Sequence, residues 1–202
     1  LMATAQLGPI AKDWGLARIP MTFFGLSLPL LTATLSIDNI CNGLTRPLCG
    51  FISDKIGREN TMFLIFTGEG LALLGLMQYG SNPYAFMTFA ALIFLFWGEI
   101  FSIFPAICAD TFGSKYAAAN AGTLYTAKGT ASLLVPLASV LSATGGWSLV
   151  FIVCAVVTIT AAVAAKFILA PMRARWIGLR NEPAVTSNSQ ARLHHWPEQT
   201  GE

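Results

Sequence analysis

Arg46 and Lys128 each stand inside a long apolar stretch of a 202-residue chain. A charged side chain at the centre of a bilayer costs about 2.5–3.5 kcal/mol on insertion scales, so such residues are the first candidates for function. A guanidinium presents a planar fork to a carboxylate, and an ammonium acts as a compact point charge. Together they suit a small organic anion. Lys128 lies about 16 Å of helical rise from either end of its stretch, too deep for its stem to reach an interface easily. Small residues surround it: Ala118, Gly122 and Thr126 at four-residue spacing, then Gly129, Ala131 and Ser132. They allow close helix approach, and Gly129 with Pro136 permits a bend. A lysine paired with Glu69 or Glu99 is the competing reading. Arg46 is about two turns from Asp54, so snorkelling competes there. Against it, Asn39, Asn42 and Arg46 fall at i, i+3 and i+7, one helix face, with Gly43 and Gly50 nearby. Such a polar stripe reads as the wall of an aqueous path.

Asp38, Glu69 and Glu99 are the remaining charges at depth, candidates for a proton site or a counter-charge. Glu69 lies between Gly68 and Gly70, where an acid hydrogen-bonded across a tight helix contact is the simpler reading. Trp97 and Phe101 share a face at i, i+4, and Tyr125 lies one turn from Lys128, as cavity-wall aromatics or as ordinary packing. Lys166 sits near the end of its stretch and snorkels. No H-E-x-x-H, G-x-S-x-G or C-x-x-C pattern and no phosphate-cradling glycine loop is present, so no catalytic residue, metal or cofactor is expected, and an enzyme is excluded. Cys41, Cys49, Cys108 and Cys154 read as small apolar packing residues. His194 and His195 read as solvated residues of a polar tail.

The elements that carry these residues follow from composition. Hydrophobic residues make up 54% and charged residues 11%, with a mean hydropathy of +0.62. A soluble domain carries about a quarter charged residues. The expectation is therefore an all-α membrane protein in contact with lipid. A bilayer core of about 30 Å takes about 20 apolar residues as helix. Five stretches meet that length: 26–52, 61–79, 84–109, 117–141 and 147–169. Residues 1–10 read as the end of a truncated transmembrane helix, 11–25 as an external linker, and 170–202 as a cytoplasmic, disordered tail. The chain opens within an apolar stretch without a cleavable signal peptide, as a piece of a longer protein would. Basic residues mark alternate connectors: Lys55 and Arg58, then Lys115, then Arg173, Arg175 and Arg180. By the positive-inside bias these face the cytoplasm of a plasma (inner) membrane, C-terminus included. Lys12 and Arg18 fall on the opposite side and are discordant. With a net charge of +2 and no basic run, no nucleic-acid partner is expected.

Residues 50–58 read Gly50-Phe51-Ile52-Ser53-Asp54-Lys55-Ile56-Gly57-Arg58, a G-x-x-x-D-x-x-G-R pattern at the end of an apolar stretch. Gly57 permits the reversal and Arg58 can pair with acids at the membrane edge. This resembles the loop signature of the major facilitator superfamily. Asn42-Gly43-Leu44-Thr45-Arg46-Pro47 and Tyr125-Thr126-Ala127-Lys128-Gly129, with Thr4-Ala5-Gln6-Leu7-Gly8-Pro9-Ile10, resemble the C-terminal half of the oxalate/formate antiporter family. The resemblance spans about residues 1–169. It implies the end of helix seven and helices eight to twelve, arranged as two inverted three-helix repeats with the first helix truncated. It implies that Arg46 and Lys128 hold carboxylates such as oxalate or formate, with Trp97 as a wall and Phe101, Tyr125 and Asn42 beside it. An N-terminal half is the implied partner. A proton-linked monocarboxylate carrier is the alternative; those carriers tend to place an acid one turn before the arginine, where Asn42 stands. A truncated, non-transporting membrane subunit is the other.

Overall fold

A computed structural model describes residues 2–23, 25–98, 102–113 and 115–181. Glu99, Phe101, His194 and His195 lie outside the described residues.

The chain opens with α1 (Met2–Ala5) and α2 (Leu7–Asp13), followed by a small antiparallel hairpin, β1 (Pro20–Phe23) and β2 (Leu26–Pro29). The hairpin replaces part of the expected linker and the start of the expected 26–52 span. Prolines at both outer ends and Gly25 at φ +80° delimit it. The fold is thus mostly rather than wholly helical. Then α3 (Leu30–Ile56) runs unbroken past Pro47, and α4 (Arg58–Tyr79) follows after Gly57 alone. Gly57 has φ +89°, a conformation that side-chain-bearing residues adopt at a cost.

The turn into α5 (Pro83–Trp97) explains itself locally. The Asn82 side chain accepts from the amides of Tyr84 at 3.0 Å and Ala85 at 3.4 Å, and Pro83 occupies the first turn, where its missing amide proton is no loss. The expected 84–109 span is divided: α5 ends at Trp97 and α6 (Ile103–Phe112) begins beyond Gly98. Pro105, third in α6, cannot donate to a carbonyl four residues back, which favours starting a helix just before it. The expected 117–141 span likewise stops early. The helix α7 (Ala117–Ser132) ends ahead of Leu133 and Leu134, and α8 (Val135–Ala164) restarts with Pro136 in its first turn. The expected break at 143–146 is confined to one residue, Gly146 at φ +68° within α8. A π-helical turn (Ala165–Leu169) then leads into α9 (Ala170–Asn181), so the first part of the expected disordered tail is helical. Arg173, at 2.9 Å from Glu59 of α4, anchors it.

Helix α4 is central and packs mainly on α8 and α5, while α3 packs on α5. Glycines bring these helices close. A Cβ on Gly70 would lie 2.7 Å from Ile159, and one on Gly98 would lie 2.7 Å from Thr45. Two apolar cores form at opposite ends of α4. One joins Leu73, Leu76, Phe86, Ile93 and Phe151 to Ile10 and Leu16. The other joins Met62 and Ile65 to Cys49, Ile103, Ile107 and Ala165. Arg58–Tyr79 and Ala117–Leu179 are helical stretches long and apolar enough to cross a membrane.

Candidate functional site

Between the two cores, at the middle of α4, the packing opens into a cavity of about 300 Å³. Glu69 and Phe66 of α4, Trp97 at the end of α5, Phe104 of α6, Tyr125 and Lys128 of α7, and Thr158 of α8 contribute to its wall. The Lys128 Nζ stands 5.1 Å from the Trp97 ring centroid. That is within cation–π range, an attraction worth about 0.5–2 kcal/mol depending on hydration. A π face attracts the ammonium's charge without neutralising it as a carboxylate would. A second cavity, of about 280 Å³, shares Glu69, Ala131, Val157 and Thr158 with the first and reaches Thr4 of α1. Glu69, 9% exposed, therefore borders both.

The helix that supplies Lys128, α7, has no fully buried residue. Its threonine and serine hydroxyls bond back onto its own carbonyls, as Thr123 does to Ala119 at 3.0 Å and Thr130 to Thr126 at 3.1 Å. Tyr125 and Lys128 are its half-buried polar side chains at the cavity.

Arg46 is exposed and is not on the wall of either cavity. It follows Thr45, whose Cβ meets Gly98, the residue after Trp97. Arg46 thus leaves α3 at the level where Trp97 meets Lys128. Asn42 serves the α3–α5 seam: its amide donates to the Phe94 carbonyl at 3.5 Å. The Thr45 hydroxyl, 2.8 Å from the Cys41 carbonyl, also reaches the carbonyl of Leu95. These α5 carbonyls belong to its last turn, where a helix leaves carbonyls unpaired within itself, and α3 brings donors to them. Asn39 donates to Leu35 at 2.8 Å on the exposed side of α3. Asp38 is 1% exposed, with neither carboxylate oxygen hydrogen-bonded to a described residue, and Thr34, one turn earlier, is buried in the same condition.

The loop motif forms a connected cluster at the far end. Arg58 lies 2.7 Å from Asp54 and 3.2 Å from Asp110 at the end of α6, and it also reaches the Ser53 hydroxyl. The Ser53 hydroxyl lies 3.0 Å from the Gly50 carbonyl. Arg58 therefore ties together the end of α3, the start of α4 and the end of α6. Asp110 and the Glu59–Arg173 pair escaped the sequence reading. An acid closing an apolar stretch was the available signal for Asp110; Arg173 carried none beyond its charge.

Residues 2–195 match the Major Facilitator Superfamily. The chain is 36% identical to the oxalate:formate antiporter of Oxalobacter formigenes over 151 residues, 73% of this chain and 36% of that protein. It is 32% identical to an MFS-type transporter of Gibberella moniliformis over 138 residues, 64% of this chain and 33% of that protein. The chain thus spans about a third of the length of these curated relatives.

Proposed function

The chain belongs to the major facilitator superfamily, a family of membrane transporters and not of enzymes, and on that premise we propose that it forms the C-terminal half of a carrier exchanging small carboxylates of the oxalate and formate class. In this reading α1–α2, α3 and α4 form one three-helix repeat, and the helices from α5 onward form its inverted counterpart. Carriers built from such repeats place their substrate near the midplane, where helices are discontinuous. The breaks at Gly98 and at Leu133–Leu134 support that geometry. An N-terminal half completes the cavity opposite α7, and the Arg58 cluster lies on the cytoplasmic side with the C-terminus.

The observation that carries the proposal is Lys128 against Trp97 on the wall of a mid-depth cavity. An anion entering there receives a charge-assisted hydrogen bond in a site with little competing water, worth about 1.5–3 kcal/mol. Arg46, leaving α3 at the same level, holds the second carboxylate of a dianion, or turns inward as the halves rock. Trp97 and Tyr125 are the walls that fix the anion's plane. Asn42 supports the site through the seam rather than by touching substrate. Two cations at mid-depth are costly to carry across the membrane without a bound anion, which favours exchange over one-way flow. Asp38, Glu69 and Glu99 are the groups through which a proton would be coupled in the monocarboxylate alternative.

The test is uptake of labelled oxalate into vesicles holding the complete carrier and preloaded with oxalate, formate, pyruvate or succinate. Oxalate and formate should drive uptake best, and Lys128→Ala and Arg46→Ala should each lower it at least about 10-fold with normal membrane insertion. Normal uptake in both variants would contradict the assignment. Uptake of a monocarboxylate that acidifies the lumen would instead favour the proton-linked carrier.

A further inference from the structure

The discordant cations Lys12 and Arg18 define a site of their own. They line a cleft of about 500 Å³ together with Gly8, Gly15, Ala17 and Leu31. The cleft lies beside the start of α3, while the Arg58 cluster sits at that helix's other end, 27 residues away or about 40 Å along the axis. Lys12 and Arg18 are its charged wall residues, both are exposed, and neither makes an ion pair with a described residue.

The backbone beneath them is firmly held. Gly15, at φ +70°, turns the chain back so that the amides of Leu16 and Ala17 donate to the Ala11 carbonyl at 2.8 and 3.0 Å. Leu16 is 3% exposed, and Trp14 packs edge-on against Phe86 and beside Phe151. Asp13, the acid of this segment, is engaged elsewhere: Trp147 Nε1 donates to its carboxylate at 2.8 Å. It is not on the cleft wall. A fixed turn thus presents two cations to one concave space and holds the neighbouring carboxylate against α8.

We propose that this cleft is an anion-collecting vestibule, where Lys12 and Arg18 hold a small carboxylate loosely before it passes to the Lys128 cavity. The inference rests on the carboxylate-carrier reading. Exposed cations around a concave surface raise the local anion concentration and the rate of capture, and salt screens the effect. Weak binding suits the task, because a carboxylate held tightly here would not move on. The same chemistry would accept a lipid phosphate, and the experiment separates the two sources.

Exchange would be measured with the complete carrier in vesicles, with oxalate supplied from the vestibule side at ionic strengths from about 0.01 to about 0.15 M. In Lys12→Gln/Arg18→Gln, KM should rise about 3- to 10-fold at low salt with kcat unchanged, and the salt dependence of the native carrier should flatten. Unchanged KM and salt dependence would overturn the proposal. A drop in kcat in the double variant, reproduced in the native carrier by omitting anionic lipid, would overturn it in favour of a lipid phosphate. An arm independent of transport uses Lys128→Ala: oxalate should slow acetylation of Lys12 by a water-soluble amine reagent, read by peptide mass. Protection there without transport would leave the vestibule standing even if the central site is misassigned. No protection at oxalate concentrations that saturate exchange would overturn it.

Discussion

The α3–α5 seam and the α7 cavity wall both place polar side chains in apolar helices, yet they use them differently. At the seam, Asn42 and Thr45 meet carbonyls of the last turn of α5, and Gly98 lets the two helices touch. At the cavity, α7 keeps its threonine and serine hydroxyls on its own backbone, and Lys128 stands over an aromatic ring beside open space. Polarity inside an apolar helix therefore does not by itself mark a ligand site. What separates the cases is what the polar groups meet: carbonyls of a neighbouring helix at the seam, an aromatic ring and open space at the cavity. An interrupted helix leaves carbonyls that must find donors in a medium without water, and nearby amides and hydroxyls are drawn to them.

This contrast can be broken at either region. Gly98→Val has the largest expected effect on stability: its Cβ would lie 2.7 Å from Thr45 and 2.9 Å from the Asn42 carbonyl, forcing α3 and α5 apart. Overpacking of this kind costs about 1–3 kcal/mol, and detergent thermal-melt curves should show a clear fall in Tm. An unchanged Tm would mean the seam is looser than described. Trp97→Leu removes the ring beneath Lys128 while leaving Gly98, Thr45 and Asn42 in place. Oxalate binding should weaken by up to about tenfold, with Tm nearly unchanged, since a cation–π contact contributes about 0.5–2 kcal/mol. A large loss of Tm with native affinity would reassign Trp97 to packing. Arg58→Gln has the smallest expected effect on stability, under about 1 kcal/mol, because its partners Asp54 and Asp110 are 68% and 44% exposed. Its consequence should appear in exchange rate, as the tie among α3, α4 and α6 is lost.

The sequence made the membrane class and the family legible because both are written in local patterns: long apolar runs and a loop signature with fixed spacing. Lys128, Trp97 and Tyr125 were legible as a group for the same reason, each being a polar or aromatic residue at helical spacing in an apolar stretch. The interruptions were not. Gly98 and Pro105 lie in a run apolar enough to span without a break, and the seam with α3 supplies donors to the last turn of α5. Asn42 was ambiguous for a related reason, since its stripe with Arg46 points equally to water and to a neighbour's carbonyls. Asp110 and Arg173 act across contacts between elements distant in sequence, Asp110 with Arg58 and Arg173 with Glu59, which no spacing rule encodes.

The measurement closest to the central claim is calorimetric titration of the complete carrier with oxalate, comparing the native protein with Lys128→Gln and Lys128→Arg. The account predicts that Lys128→Gln lowers affinity about 10- to 100-fold, the loss of one charge-assisted hydrogen bond, while Lys128→Arg retains part of it. Native affinity in Lys128→Gln would contradict the account.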